Sequence, residues 1–231
     1  MRNPTKLRIV IIGAGGLGSE VLQLVRDLTA SGVDIACAGF FVEPRFPPPD
    51  SLDGAPVLRD LANLVSDPAM RLVLAIGDPA ARARIAGRLA PVIGSRFTTL
   101  VHPSAQVGST VTFGEGCLIL PLASLTAHIR VGRHALINPH VSVSHDCVLG
   151  DFATLGPAVA LAGGVHVEEG ADLGIGAQVA PRLRIGRWSA VGAGATVIRA
   201  VDANTTVVGV PARAIRVRSP GWHENDEAKA I

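Results

Sequence analysis

Residues 131–160 read VGRHAL-INPHVS-VSHDCV-LGDFAT-LGPAVA, consecutive hexapeptides that each begin with a large aliphatic residue. The beat extends in both directions. Stepping by six from Val107 gives Phe113, Ile119, Leu125, Val131, Ile137, Val143, Leu149, Leu155, Leu161, Val167, Leu173, Val179, Ile185, Val191 and Val197, sixteen apolar residues in one register. With 48% of the chain hydrophobic, chance supplies such a run with a probability on the order of 10⁻⁵. Two residues before each of these positions stands a small or aliphatic side chain, as in Cys117, Ala135, Cys147, Ala153 and Val159. One residue after comes Gly or another small residue in most repeats, as in Gly108, Gly114, Asn138, Ser144, Gly150 and Gly174.

Strand residues two apart share a face, so both apolar columns point inward. Gly or Asn at the next position is expected to permit a tight corner, positive φ included. Short strands joined by regular corners coil into a solenoid, and a period of six indicates a parallel β-helix. With three hexapeptides to a triangular coil, residues eighteen apart stack and the inward column becomes a continuous ladder. Each fully buried rung stabilises the fold by roughly 1.5–3 kcal/mol. An α-helix does not fit, since six matches neither of its periods and Gly recurs throughout.

Upstream the pattern changes. Leu7–Ile12 is an apolar run of strand type, followed by Gly13-Ala14-Gly15-Gly16-Leu17-Gly18 and an amphipathic helix from Ser19 to about Ala30. Further strands are expected at 35–42, 71–76 and 97–101, helices at 57–65 and 79–89, and a Pro-rich loop over 44–53. This βαβ order implies a small parallel sheet, half of a full dinucleotide fold. The Gly-rich turn reads either as a tight structural turn or as a place where backbone N–H groups approach a phosphate, NAD included. Glu43 closes the second strand, where a ribose contact often lies. After the solenoid, VGVPAR (208–213) stops the repeat, and a polar, mobile tail is expected from about Ser219.

Composition narrows the function. Net charge is +2, no basic block appears and Tyr is absent, which argues against nucleic-acid binding. No apolar run approaches the length of a membrane span, and the N-terminal residues show no signal-peptide pattern. Cys37, Cys117 and Cys147 lack metal spacing, and the last two fall in the inward column, so packing is their expected role. These features together read as a soluble, reduced, cytoplasmic protein.

The histidines carry the candidate chemistry. His128, His134 and His140 share one outward repeat position, while His145 breaks that pattern and is followed at once by Asp146. A neutral imidazole takes a proton from a hydroxyl or amine at neutral pH, and a neighbouring carboxylate fixes its tautomer. A solvated surface histidine is the alternative. A third reading makes His140 and His145 metal ligands, with His128 as the nearest third.

The motifs GAGGLGSE (13–20), AIGDPAAR (75–82), LVHPSAQVG (100–108), INPHVSVSHDCVLGDF (137–152) and VGVPAR together resemble the NeuD/PglD-type sugar acyltransferases. The resemblance covers about residues 7–213. It implies a half-Rossmann-like α/β domain over 1–101 that holds a nucleotide-sugar, a left-handed parallel β-helix over 102–213 and a tail over 214–231. It also implies a homotrimer with acetyl-CoA as co-substrate in the cleft between neighbouring helices, and no metal. His145 falls on the family's catalytic base and Asp146 on the acidic residue that raises its basicity. Gly15, Gly16 and Leu17, within the Gly13–Gly18 turn, fall on nucleotide-sugar contacts, Gly77 on a further substrate contact and Asn138 near the active site. Ile175 and Ala193 fall on backbone positions lining the acetyl-CoA site. Thr154 stands where some members place a second histidine on acetyl-CoA, and a hydroxyl retains a hydrogen bond there. Val42-Glu43 replaces the paired Asp of uridine-binding members, which leaves guanosine or thymidine open. The implied activity is N-acetylation of a nucleotide-linked deoxyamino sugar. O-acetylation of sialic acid, a non-catalytic nucleotide-sugar scaffold and a zinc enzyme are the alternatives.

Overall fold

The computed structural model describes residues 6–43, 51–60, 67 and 69–224. The chain begins with β1 (Leu7–Ile12), buried from Ile9 onward. α1 (Gly16–Ala30) buries Val21, Leu24, Val25 and Leu28, the three-to-four spacing of an apolar helix stripe. β2 (Ile35–Phe41), β3 (Ser51–Leu52), β4 (Ala55–Leu58) and β5 (Met70–Leu74) follow, then α2 (Pro79–Ile93). Asp78 caps α2 by accepting the Ala80 N–H at 3.3 Å, with Pro79 in the first turn where no N–H is needed.

Among the described residues the N-terminal sheet has the order β3-β4-β2-β1-β5, parallel except for β3 at its edge. The chain leaves β1 toward β2 on one side and returns to place β5 on the other. The carboxyl ends of β1 and β5 therefore flank a switch point, the usual crevice for a ligand in such sheets. Two expectations change here. Val57-Leu58 belongs to a strand pairing with Phe40-Phe41, not to a helix, because its β-branched and apolar side chains extend the sheet; residues 61–66 of that expected helix lie outside the described residues. Residues 44–50 of the expected Pro-rich loop also lie outside them, and Ser51-Leu52 form β3.

Residues 100–208 form a left-handed parallel β-helix with three faces. Leu136↔Thr154, Ser142↔Ala160 and Val148↔His166 are typical pairs, all eighteen residues apart. The interior is the predicted ladder, with Ile119, Val143, Leu155, Val167, Leu173 and Ile185 buried. Cys117 and Cys147 are buried among them, and burial raises both thiol pKa values, Cys117 to about 11. Val107 departs from the expectation: it is 36% exposed because it lies in the first coil, with no coil beneath it.

The corner glycines have a different cause from the one expected. Positive φ falls three residues after the apolar position, at Leu122, His128, His134, His140, Asp146, Phe152 and their equivalents. The glycines directly after the apolar position are there because successive coils touch. A Cβ at Gly150 would lie 2.5 Å from the Glu169 nitrogen, and one at Gly132 2.5 Å from the Asp151 nitrogen.

One solenoid face carries the N-terminal domain. Leu100, Leu118, Leu120 and Leu136 share a buried cluster with β1 and α1, and Phe97 and Phe152 pack with α2. Phe97 bridges Leu72, but Leu100–Val101 pairs with Leu118–Ile119, so the expected last strand divides between the two sheets. As far as Glu224 the C-terminal stretch packs against the rest of the chain, against the mobile tail expected from about Ser219; residues 225–231 of that tail lie outside the described residues. Arg213–Val217 pairs antiparallel with Thr205–Val208 and closes the upper end. The His223 ring stacks on Trp188 with centroids 3.8 Å apart, and Arg84 donates to the His223 carbonyl at 2.6 Å. Aromatic burial holds this segment despite its polarity.

Candidate active site

The Gly-rich turn sits at the switch point. Gly13 has φ +107°, and a Cβ there would meet the Ala75 carbonyl at 2.7 Å, so the turn itself requires it. Gly15, Gly16 and Gly77 differ: a Cβ at any of them meets nothing within 4 Å, and none has positive φ. The fold does not account for these three glycines, and their bare backbone leaves open space at the crevice. Gly15 caps α1 without a side-chain hydrogen bond, and no acidic residue occupies the first turn, so the positive end of the helix faces this crevice unneutralised. Leu17 packs partly buried against the β1–α1 cluster. Glu43 pairs with Arg88 of α2 at 2.6 Å.

His145 stands on the corner between the face carrying Ser142–Val143 and the face carrying Val148–Leu149. Its Nδ1 lies 2.7 Å from Asp146 Oδ2. Asp146 takes the positive-φ corner position (φ +61°), a conformation that Asp tolerates well, and its N–H is held by the Ala127 carbonyl. With Nδ1–H donated to the carboxylate, Nε2 carries the lone pair. The His145 side chain is 67% exposed in the single chain. This is an imidazole with its tautomer set and its accepting nitrogen open.

Asn138, Ile175 and Ala193 stand on the other corner bounding the Ser142–Val143 face. Asn138 donates from Nδ2 to the Leu155 carbonyl at 2.8 Å, while Ile175 is 58% exposed. One chain thus separates His145 from these residues by the width of a face. Thr154 is elsewhere: it is buried on the covered face, and its hydroxyl accepts from Arg82 at 2.7 Å. The hexapeptide register sets Thr154 in a strand of that face, away from the corner of Ile175 and Ala193, and the docked N-terminal domain covers it. His134 lies under the same cover. It points out of the coil, but the same domain buries it to 4% exposure between Phe97 and Phe152. Burial, then the Arg82 and Arg133 charges, lower its pKa to about 4. His128, His140 and His145 are not gathered into a metal-binding group, and no cluster of three such ligands occurs among the described residues. No helix among them is long and apolar enough to cross a membrane.

Arg82 is the residue that sequence reasoning missed. It is 1% exposed and uses all five N–H groups: Nε donates to His134 O (2.9 Å), one terminal nitrogen to Ile76 O (2.7 Å) and Gly77 O (3.0 Å), the other to Phe152 O (2.8 Å) and Thr154 Oγ1. It ties the strand end that carries Gly77 to the solenoid. Burial lowers its pKa to about 10, opposed by Asp172 and Asp78, so it keeps its charge at neutral pH. A sequence signal existed: Arg82, Ala86, Leu89 and Ile93 follow the apolar stripe of α2. A second fastening joins α1 to the start of the solenoid. His102 Nδ1 accepts the Ser104 N–H, which leaves Nε2–H to donate to Asp27 at 3.1 Å. That bond, with one from Gln23, lowers the Asp27 pKa.

Comparison with known proteins adds to this geometry. The family model of the PglD N-terminal domain matches residues 8–89. A perosamine N-acetyltransferase from Caulobacter crescentus, solved with CoA and GDP-perosamine, is 36% identical with a TM-score of 0.80, covering 90% of this chain and 96% of that one. It has been solved as variants with one histidine replaced by Asn or by Ala. WeeI from Acinetobacter baumannii is 32% identical with a TM-score of 0.79, covering 90% and 99%. The acetyltransferase domain of PglB from Neisseria gonorrhoeae, solved with acetyl coenzyme A, is 25% identical with a TM-score of 0.78, covering 90% and 99%. A search of the curated proteins finds no match.

Proposed function

This chain belongs to the NeuD/PglD-type sugar acyltransferases, and from that premise we propose that it transfers the acetyl group of acetyl-CoA to the amino group of a nucleotide-linked deoxyamino sugar. The observation that carries the proposal is the Asp146-locked His145, with Nε2 free to accept a proton. The nucleotide binds at the crevice of Gly13, Gly15, Gly16, Leu17 and Gly77, its pyrophosphate against the start of α1. Glu43 stands at the end of β2, on the ribose side of that crevice. The sugar amine attacks the thioester carbonyl: an N–C bond forms, the C–S bond breaks, Nε2 takes the amine proton, and CoA leaves as the thiol once protonated. Asp146 keeps the imidazole in the accepting tautomer and stabilises the imidazolium that forms.

The acetyl-CoA site lies at the corner of Ile175 and Ala193, with Asn138 below. His145 is exposed and separated from that corner within one chain, so the working assembly is a homotrimer in which a neighbour's corner covers His145. Light scattering is expected to give the mass of three 23.8-kDa chains.

A thiol-release assay with acetyl-CoA tests the reaction across GDP-, UDP- and TDP-linked amino sugars, with GDP-perosamine first, since the 36% identical relative is solved with it. Free sialic acid is the O-acetylation arm. His145→Ala is expected to lower kcat by roughly 10²–10⁴. A loss under tenfold with the fold intact removes His145 as the base, and nucleotide-sugar binding with no thiol release across the panel removes the transferase reading.

A further inference from the structure

The chain carries two glycines side by side at 163 and 164, one coil above His145. Gly164 is explained by its backbone, with φ +70° at the corner position. Gly163 has no such requirement. It stands in the corner column Ala127, His145, Gly163, Pro181, each eighteen residues from the next, and its neighbours in that column carry side chains. The coil geometry therefore accepts a Cβ at this place.

The His145 ring does not accept one. A Cβ added at Gly163 would lie 2.6 Å from Cε1, 2.7 Å from Nε2 and 3.3 Å from Cδ2 of His145. Real Cβ contacts do not come this close, and all three atoms belong to the imidazole. Other ring-covered glycines of the solenoid, Gly116 under His134 and Gly170 under Trp188, also have positive φ. Among the described solenoid glycines, Gly163 alone combines an ordinary φ with a steric reason that is only a ring.

We infer that Gly163 is a positioning residue: its bare backbone is the surface on which the His145 imidazole lies, and it sets where Nε2 stands. The inference rests on the reading of His145 as the base. Two constraints then fix the ring, the Asp146 carboxylate at Nδ1 and the Gly163 backbone against the Nε2 edge. A methyl group at 163 forces the ring to turn about its side-chain torsions, which moves Nε2 and lengthens or breaks the bond to Asp146. Misplacement of a reacting group by about 1 Å costs on the order of a hundredfold in rate.

The test compares wild type, Gly163→Ala, His145→Ala, the double variant and Pro181→Ala as a control in the same column. Protein labelled with ¹³C-histidine reports the His145 ring without substrate, its signal being the one lost in His145→Ala. Gly163→Ala is expected to shift that signal and leave the other histidines in place. In the thiol-release assay it is expected to lower kcat roughly 10–100-fold, with KM for acetyl-CoA and for GDP-perosamine within about threefold of wild type, while Pro181→Ala stays at the wild-type kcat. The double variant is expected to melt with His145→Ala, because removing the ring removes the clash. Inactive His145→Ala beside Gly163→Ala with wild-type kcat and an unmoved ring signal overturns the positioning role alone. His145→Ala active to within tenfold overturns the reading beneath it. A double variant that melts well below His145→Ala shows that 163 needs glycine for the coil itself, and also overturns the inference.

Discussion

Replacing Arg82 by Met keeps the length and apolar stem of the side chain and removes every donor. Five acceptors lose their partner at once: the carbonyls of Ile76 and Gly77 beside α2, and the carbonyls of His134 and Phe152 and the Thr154 hydroxyl on the solenoid. A hydrogen bond from a charged donor contributes about 1.5–3 kcal/mol, but the buried guanidinium also carries a desolvation cost that the variant no longer bears. Each buried acceptor left without a donor costs about 1–3 kcal/mol, and with the desolvation relief set against the five of them a net destabilisation of about 3–5 kcal/mol is expected. Arg82→Lys retains the charge with three donors, leaving two acceptors unpaired at about 1–3 kcal/mol each, so it is expected to recover only part of the loss. Urea unfolding at pH 7 followed by circular dichroism gives the magnitude. Hydrogen exchange gives the location: protection is expected to fall first along α2 and at 76–77, while the solenoid interior keeps its own. An Arg82→Met protein within about 1 kcal/mol of wild type would refute the reasoning, since the five bonds would then be replaced by water at no cost.

Three other outcomes follow from the same geometry. His134 is neutral in the fold, with a pKa near 4 against 6.5 in a free chain, so below pH 6.5 the unfolded state binds a proton that the folded state refuses. Stability is therefore full above pH 6.5 and falls by roughly 3 kcal/mol as pH drops toward 4; His134→Leu is expected to remove that component, read as a smaller difference between urea midpoints at pH 7 and pH 4.5. Gly16→Val meets empty space within the protein, so its melting temperature is expected to stay near wild type while stabilisation by GDP-perosamine in a thermal-shift assay disappears. Asp146→Asn leaves an amide whose nitrogen or oxygen can face Nδ1, so the accepting tautomer is no longer enforced; kcat is expected to fall roughly tenfold or more with KM little changed, measured by thiol release.

The solenoid was legible because its determinant is local and repeated. Each coil states the same inward pair, and Cys117, Ile119, Cys147 and Leu149 land inside as the pattern requires. His145 beside Asp146 was legible for the same reason: adjacent residues in a known register can be placed without tertiary information. The reading failed where contacts come from elsewhere in the chain. Nothing local to His134 or Thr154 says that a second domain covers their face, and so an outward histidine became a buried one. The corner glycines were found in the right column but for the wrong reason, since coil-to-coil contact spans eighteen residues while φ belongs to one. Val57-Leu58 could serve a helix or a strand, and the neighbouring strand β2 decided it. Arg82 was hidden by its residue type: an arginine on a helix is usually solvated, and only its place in the apolar stripe of α2 marked it.

The stacking of residues eighteen apart also governs how this protein can change length. Loss of one residue inside the β-helix turns every later side chain to the opposite side, moving aliphatic rungs into water and corner residues into the interior. Loss or gain of a whole coil preserves all columns. Above the level of Ala190–Val191, past the corner that carries Ala193, an added coil would lengthen the prism while leaving the nucleotide crevice and the imidazole at their original separation. Growth in this molecule is stepwise, in units of one storey, and the storeys that hold the two halves of the reaction are set from below.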